Sequence, residues 1–354
     1  MIQLYAGTSA LETIKAEGFH QSLFTGFLGA SGGPKWFTLY GLDKYLFGEF
    51  FKARNTPLNI MGSSAGAFRA ACFGQSDPVA AITRLATDYS QTVYASKKPT
   101  AAEITETGRI LLDKVLGKNG VNEIINNPIR KAHFVVAKSN GFVASENKLT
   151  QGAGLLSSFV RNRMNRQLLR SQYERYIFQP SSSDMTISDP DEFTTHITYL
   201  TPNNLKQALL ASGSIPMVMQ GIADIPDCPP GMYRDGGIVD YHFDIKIHNP
   251  GLVLYPHFSQ TLRAGWFDKS LSRPIRAQNY DNIVVICPTQ AFVESLPLKK
   301  IPDRKDFTEL DSQTRIKVWQ RVLSQSEQLA EGLHELIQTQ NLDRIKPISQ
   351  LAMH

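Results

Sequence analysis

The order of apolar runs along the chain predicts an α/β fold built on a mainly parallel sheet. Two observations carry this. First, two short apolar runs, Leu23–Gly29 (LFTGFLG) and Pro57–Met61 (PLNIM), are each followed by a glycine-containing turn and then by residues at helical spacing. Strand, crossover helix and strand form a βαβ unit, whose strands lie parallel and whose crossover is right-handed. Second, three later strand candidates, His133–Ala137, Thr195–Leu200 and Asn282–Cys287, alternate with helical stretches, which is the α/β pattern.

Taken in order, the segment GASGGPK after the first run leads into a helical pattern through Trp36, Leu39, Tyr40, Tyr45, Leu46 and Phe47. The second run passes through GSSAG into a helix of small residues, Ala65–Phe73. Helical stretches near 79–91 and 101–116 then form a large insertion between the second and third strands. Further helices are expected at 157–178 and 203–211, and a long one from about Ser312 to Gln338. The stretches 180–191 and 225–237 are rich in Pro, Ser, Asp and Gly and read as loops. There is no internal repeat and no low-complexity tract. The chain is expected to form one α/β domain over 1–354, with its motif-bearing core at about 23–290 and a C-terminal helix, 305–340, packed on that core.

Composition narrows the function classes. With 42% hydrophobic and 19% charged residues in 354, the chain is globular rather than disordered. No run approaches the ~18 apolar residues of a membrane span. The opening MIQLYAGTSALETIKAEG has no basic segment followed by an apolar one, which argues against a Sec signal. Three widely spaced cysteines, Cys72, Cys228 and Cys287, form no CxxC pair. That argues against a disulfide framework or zinc cluster and fits a reducing, cytoplasmic setting. The net charge, 37 − 32 = +5, permits an anionic surface as partner without requiring one.

Three short motifs carry the chemistry. Gly62-Ser63-Ser64-Ala65-Gly66 fits G-x-S-x-G directly after a buried strand and at the start of a helix. A nucleophile elbow needs that context; an ordinary turn with Ser64 as helix cap reads the same way. Ser31-Gly32-Gly33-Pro34-Lys35 lies one βαβ step earlier, at the same carboxyl edge of a parallel sheet. Its adjacent glycines can turn backbone N–H groups toward an oxyanion. No P-loop or dinucleotide fingerprint is present, since Lys35 is followed by Trp36. Asp235-Gly236-Gly237 follows a proline-rich loop, and Ala211-Ser212-Gly213-Ser214-Ile215-Pro216 closes an upstream helix.

In this order, S-G-G-P-K, G-S-S-A-G, A-S-G-S-I-P and D-G-G resemble the patatin-like phospholipases, over about Phe24 to Asp240. The resemblance implies a three-layer α/β/α sandwich and hydrolysis of lipid acyl esters, of phospholipase A or lysophospholipase type, through an acyl-enzyme with no metal and no cofactor. It implies Ser64 as nucleophile and Asp235 as base. It further implies Gly32, Gly33 and Lys35 around the oxyanion, Gly62 and Gly66 shaping the elbow, and Gly236 and Gly237 completing the aspartate motif. The sequence departs from the family pattern in having Ser31 where a third glycine is usual, Lys35 where arginine is usual, and Tyr241-His242-Phe243-Asp244 after the aspartate motif. A lysine lacks the planar fork of an arginine.

Two alternatives stand beside this reading. His242, His248 and His257 follow Asp235, so the order also suits a Ser–His–Asp triad of an α/β-hydrolase esterase. A catalytically silent lipid-binding module would keep the same motifs. The remaining histidines, His20, His133, His196, His334 and His354, show no metal-ligand spacing. Phe159–Phe178 carries Arg161, Arg163, Arg166, Arg170 and Arg175, with Val160, Met164, Leu168 and Ile177 as an apolar stripe. Read as one helix, it either packs on the body or meets an anionic membrane surface. Nucleic acid is not expected, because aromatic and basic residues do not interleave there.

Overall fold

The computed structural model describes residues 1–352, so His354 lies outside the described residues. The main sheet runs, from edge to edge, through Ile345–Pro347, Ile2–Ala6, Ile283–Pro288, Leu252–Pro256, Phe24–Gly29, Leu58–Ser63, Arg130–Ser139, Tyr173–Gln179 and Thr195–Tyr199. The five strands from Ile283–Pro288 to Arg130–Ser139 are all parallel to one another. Antiparallel joins occur at Ile2–Ala6 with Ile283–Pro288, and at Arg130–Ser139 with Tyr173–Gln179. The short Met232–Asp235 strand pairs antiparallel with the far end of Arg130–Ser139, placing Asp235 opposite Val136. Helices cover the sheet in a three-layer α/β/α arrangement.

The buried strands formed where apolar runs can be covered on both faces, as in parallel sheets generally. All six residues of Leu58–Ser63 and all six of Ile283–Pro288 are buried. The insertion between Leu58–Ser63 and Arg130–Ser139 holds helices Ala65–Phe73, Pro78–Ser90, Ala101–Leu116 and Gly120–Asn126. Asp77 and Thr100 cap two of them, accepting from the Ala80 and Glu103 amides. Among the described residues no helix is long and apolar enough to cross a membrane.

Three expectations change. The pattern after Gly33 is not a regular helix: a 3₁₀ segment, Gly33–Leu39, passes into α-helix Tyr40–Tyr45 and a π turn, Leu46–Phe50. The C-terminal helix is two, Ser312–Gln325 and Glu327–Thr339. They meet at Ser326, whose hydroxyl donates to the Leu323 carbonyl and accepts from the Gly41 amide at 2.8 Å. A Cβ on Gly41 would lie 2.6 Å from Glu327 backbone atoms, so glycine permits this close docking.

The third correction is the largest. The 157–178 stretch is not one helix. It is the end of helix Lys148–Met164, a 3₁₀ turn at Arg166–Ser171 and the strand Tyr173–Gln179. Arg166 and Arg175 are buried rather than lipid-facing, and Ile177 lies in the sheet core. Arg175 pairs with Asp240 at 2.5 Å and Asp189 at 2.7 Å. Arg166 pairs with Asp191 at 2.7 Å and Asp268 at 3.1 Å, and donates to the Val239 carbonyl. A buried guanidinium needs such partners to offset its desolvation. Because Val239 and Asp240 lie just past the aspartate motif, after Ile238, these two arginines anchor the loop that leaves Asp235.

Candidate active site

Ser64 sits where the Leu58–Ser63 strand turns into helix Ala65–Phe73, with φ +53° and ψ −123°. A non-glycine residue in that region is strained and persists only where its surroundings over-determine it. Here they do. The Ser64 amide donates to Ser212 Oγ at 3.0 Å, and Ser212 Oγ donates to the Val135 carbonyl at 2.6 Å. The two elbow glycines are required by contact: a Cβ on Gly62 would lie 2.0 Å from the Gly66 carbonyl oxygen, and one on Gly66 would lie 1.8 Å from that of Gly29.

Asp235 ends the Met232–Asp235 strand, and its amide donates to the Ser214 carbonyl at 3.0 Å. The segment Ala211–Pro216 therefore braces both residues, Ser64 through Ser212 and Asp235 through Ser214. The Ser64 hydroxyl donates to Asp235 Oδ2 at 2.7 Å. The other carboxylate oxygen accepts from the Gly237 amide at 2.7 Å. Asp235 is buried, and desolvation raises its pKa; the Ser64 and Gly237 hydrogen bonds and the charges of Arg304 and Lys269 oppose that rise.

These residues face a narrow cavity lined also by Ser31, Gly32, Gly33, Ile215, Pro216, Tyr241 and Trp266. Gly33 has φ +57°, the left-handed conformation that favours glycine. No carbonyl among the described residues accepts from the Gly32 or Gly33 amide. Ser31 holds the loop down, donating from its amide to the Tyr241 carbonyl at 3.0 Å and from Oγ to Ser63 Oγ at 3.0 Å. Gly236 and Gly237 pack tightly: their Cβ atoms would lie 2.1 Å from the Val135 carbonyl oxygen and 2.6 Å from Ser31 Oγ.

Lys35 lies beside the loop and not on the cavity wall, its ammonium 5.7 Å from the Phe258 ring centroid. Burial lowers its pKa, with Asp303 acting the other way. Two cations that the motifs did not indicate do line the cavity, Lys269 and Arg304. Lys269 is exposed as a residue, and its ammonium lies 4.1 Å from the Tyr241 ring centroid. Loss of solvent around it and the nearby charge of Arg304 bring its pKa down to about 7. Arg304 Nη1 is buried without a hydrogen-bond partner among the described residues. Neither residue belongs to a periodic or motif pattern, so no local signal in the sequence marks it.

The three histidines that follow Asp235 do not reach Ser64. His242 and His257 are buried against each other, ring centroids 4.3 Å apart, and neither lines the cavity. His242 Nδ1 accepts from the Arg263 amide, and desolvation holds both rings well below the usual histidine pKa. His248 Nε2 bonds Ser188 Oγ at 2.6 Å, at the separate two-stranded ribbon of Thr186–Ser188 and Lys246–His248.

The family model of the patatin-like phospholipases matches residues 31–242, more than half of the chain. The chain belongs to that family. The match starts at the serine of the glycine loop and runs past Asp235, enclosing every motif just described. None of the curated proteins compared with the chain matches it. Among solved structures, VipD from Legionella pneumophila aligns at 14% identity, over 88% of this chain and 67% of its own, with a TM-score of 0.35. Patatin-like phospholipases are lipid acyl hydrolases, and that is the activity the family assigns here at its broadest.

Proposed function

We propose that this patatin-like protein cleaves phospholipid or lysophospholipid acyl esters through a Ser64–Asp235 dyad and an acyl-enzyme. One observation carries the reading: a buried, conformationally strained serine donates its hydroxyl at 2.7 Å to a buried carboxylate that has no other side-chain partner among the described residues. A serine hydroxyl is a poor nucleophile until a base accepts its proton. Asp235 suits that role because burial strengthens it as a base relative to an exposed carboxylate, and because the Gly237 amide fixes its orientation.

In the acylation step, Ser64 Oγ attacks the ester carbonyl carbon, its proton passes to Asp235 Oδ2, and the Gly32 and Gly33 amides receive the oxyanion. The proton then returns to the leaving alkoxide as the tetrahedral species collapses. Water, deprotonated by the same carboxylate, releases the fatty acid and restores Ser64. Lys269 and Arg304 add positive charge on the cavity wall where negative charge develops. A triad is disfavoured because His242, His248 and His257 all lie away from Ser64.

The test is labelling with a fluorophosphonate probe followed by peptide mass spectrometry. An adduct on Ser64 that Asp235→Asn abolishes supports the dyad. Folded protein that takes no label on Ser64 would instead support a silent lipid-binding module.

A further inference from the structure

Helix Lys148–Met164 is turned inside out. Its inward face is Gln151, Gly154, Ser158 and Asn162, all buried, whereas Leu149, Leu156, Val160 and Met164 point to solvent. Leu149 is 85% exposed and Met164 74%. At 100° per residue the exposed four fall within one narrow stripe, opposite the polar face. A surface helix of a water-soluble body buries its apolar side; this one displays it.

The polar face is explained by what it holds. Gln151 Oε1 accepts from the Met217 amide at 2.8 Å, next to Ile215 and Pro216, which line the cavity. Asn162 Nδ2 donates to Asp268 Oδ1 at 2.9 Å, between Trp266 and Lys269, which line it on another side. The helix thus braces two walls of the Ser64 cavity with its polar side. Met217 and Val218, beside the first of those walls, are themselves exposed.

We infer that this stripe, with Met217 and Val218, is the surface by which the protein seats itself on an anionic lipid surface, bringing the cavity to the acyl esters. The inference rests on the lipid-hydrolase reading for its purpose, not for its test. Charge selects the occupant. The helix bears Lys148, Arg161 and Arg163 and no acidic residue. Arg163 is exposed and without a salt bridge among the described residues. Lipid phosphates complement that charge. Pairing with a second copy about a two-fold axis would set the same cations against each other. The stripe also takes the place of the lipid-facing alternative that the sequence offered at 159–178, of which Arg166, Arg175 and Ile177 are buried.

The test is sedimentation with vesicles of phosphatidylcholine containing phosphatidylglycerol, which needs no turnover. The triple variant Leu149→Ser, Leu156→Ser, Met164→Ser should partition at least ~10-fold more weakly than the parent. Removing Arg161 and Arg163 as glutamine should weaken binding about five-fold each, and added salt should erase that difference. A Leu156→Trp variant reports independently of any loss of fold: its added emission should shift blue on vesicles. Unchanged partition of the triple variant, or an unshifted Leu156→Trp spectrum on bound protein, overturns the assignment. So does light scattering that shows a dimer which the triple variant dissociates. If the parent binds vesicles through the stripe but never hydrolyses an ester, the catalytic reading fails and the docking surface stands.

Discussion

Asp235→Asn separates the carboxylate's chemistry from its architecture. The asparagine keeps an oxygen for the Gly237 amide, which Asp235 accepts at 2.7 Å, so the loop after the strand retains its anchor. The other position becomes an NH₂ donor opposite Ser64 Oγ, where Oδ2 now accepts at 2.7 Å. Removing a positioned general base costs about 10²–10⁴ in rate, or about 2.7–5.4 kcal/mol of barrier. Among the described residues no second titratable base hydrogen-bonds Ser64, so the loss should match that of Ser64→Ala, and the double variant should lose little more. Stability should move the opposite way. Burial raises the folded-state pKa of Asp235 above 3.8, so folding disfavours its charged form. That penalty is complete above the folded pKa and vanishes below the unfolded one. The asparagine variant should therefore be at least as stable as the parent at pH 7 in urea unfolding, with the advantage narrowing toward pH 4. The assay is hydrolysis of a short-chain nitrophenyl ester alongside those unfolding curves. A folded variant retaining a tenth of the activity would place the base elsewhere. A variant less stable than the parent at pH 7 but not at pH 4 would refute the electrostatic argument.

The cavity cations make a second prediction: Lys269 acts while protonated, so activity should decline as pH rises through about 7, and Lys269→Gln should flatten that alkaline limb in a pH–rate profile. Gly66→Ala places a Cβ 1.8 Å from the Gly29 carbonyl oxygen and should yield no soluble, cooperatively melting protein. Gly33→Ala is milder in packing, since its Cβ would meet Arg304 and Tyr89 at 3.4–3.5 Å; the left-handed backbone costs about 1–2 kcal/mol, and a displaced amide should lower kcat at least ~10²-fold with folding nearly intact by circular dichroism. Arg175→Met strands Asp240 without its bidentate partner and should cost about 3–5 kcal/mol in urea unfolding.

Legibility in the sequence followed burial. Leu58–Ser63 could be read because a strand covered on both faces is a continuous apolar run, and the glycines after it announce a sharp turn. The same holds for Phe24–Gly29 and for Ile283–Pro288. Tyr173–Gln179 was hidden because Arg175 and Glu174 make YERYIFQ look amphipathic at helical spacing. Only the tertiary partners Asp189 and Asp240, 14 and 65 residues away, explain an arginine inside a sheet. Ile2–Ala6 and Leu252–Pro256 lack a flanking motif, and their strand character comes from their neighbours in the sheet.

The same distinction separates the parts of the site. Ser64, the two loop glycines and Asp235 each need a local backbone shape, so each leaves a short pattern of glycines in the chain. Lys269 and Arg304 need only to reach the cavity from loops, and reach leaves no pattern. The arginines of 161–175 show how this misleads: read as one helix they suit either a packed or a lipid-facing surface, yet two of the five act inward from a 3₁₀ turn and a strand. Arg166 and Arg175 hold Val239 and Asp240, and so fix the exit of the loop that presents Asp235. The exposed apolar stripe lies N-terminal to them, on residues whose inward polar neighbours brace the cavity. In this protein the polar side of a helix does structural work and the apolar side is left exposed, an inversion that becomes visible only when each side chain's direction is known.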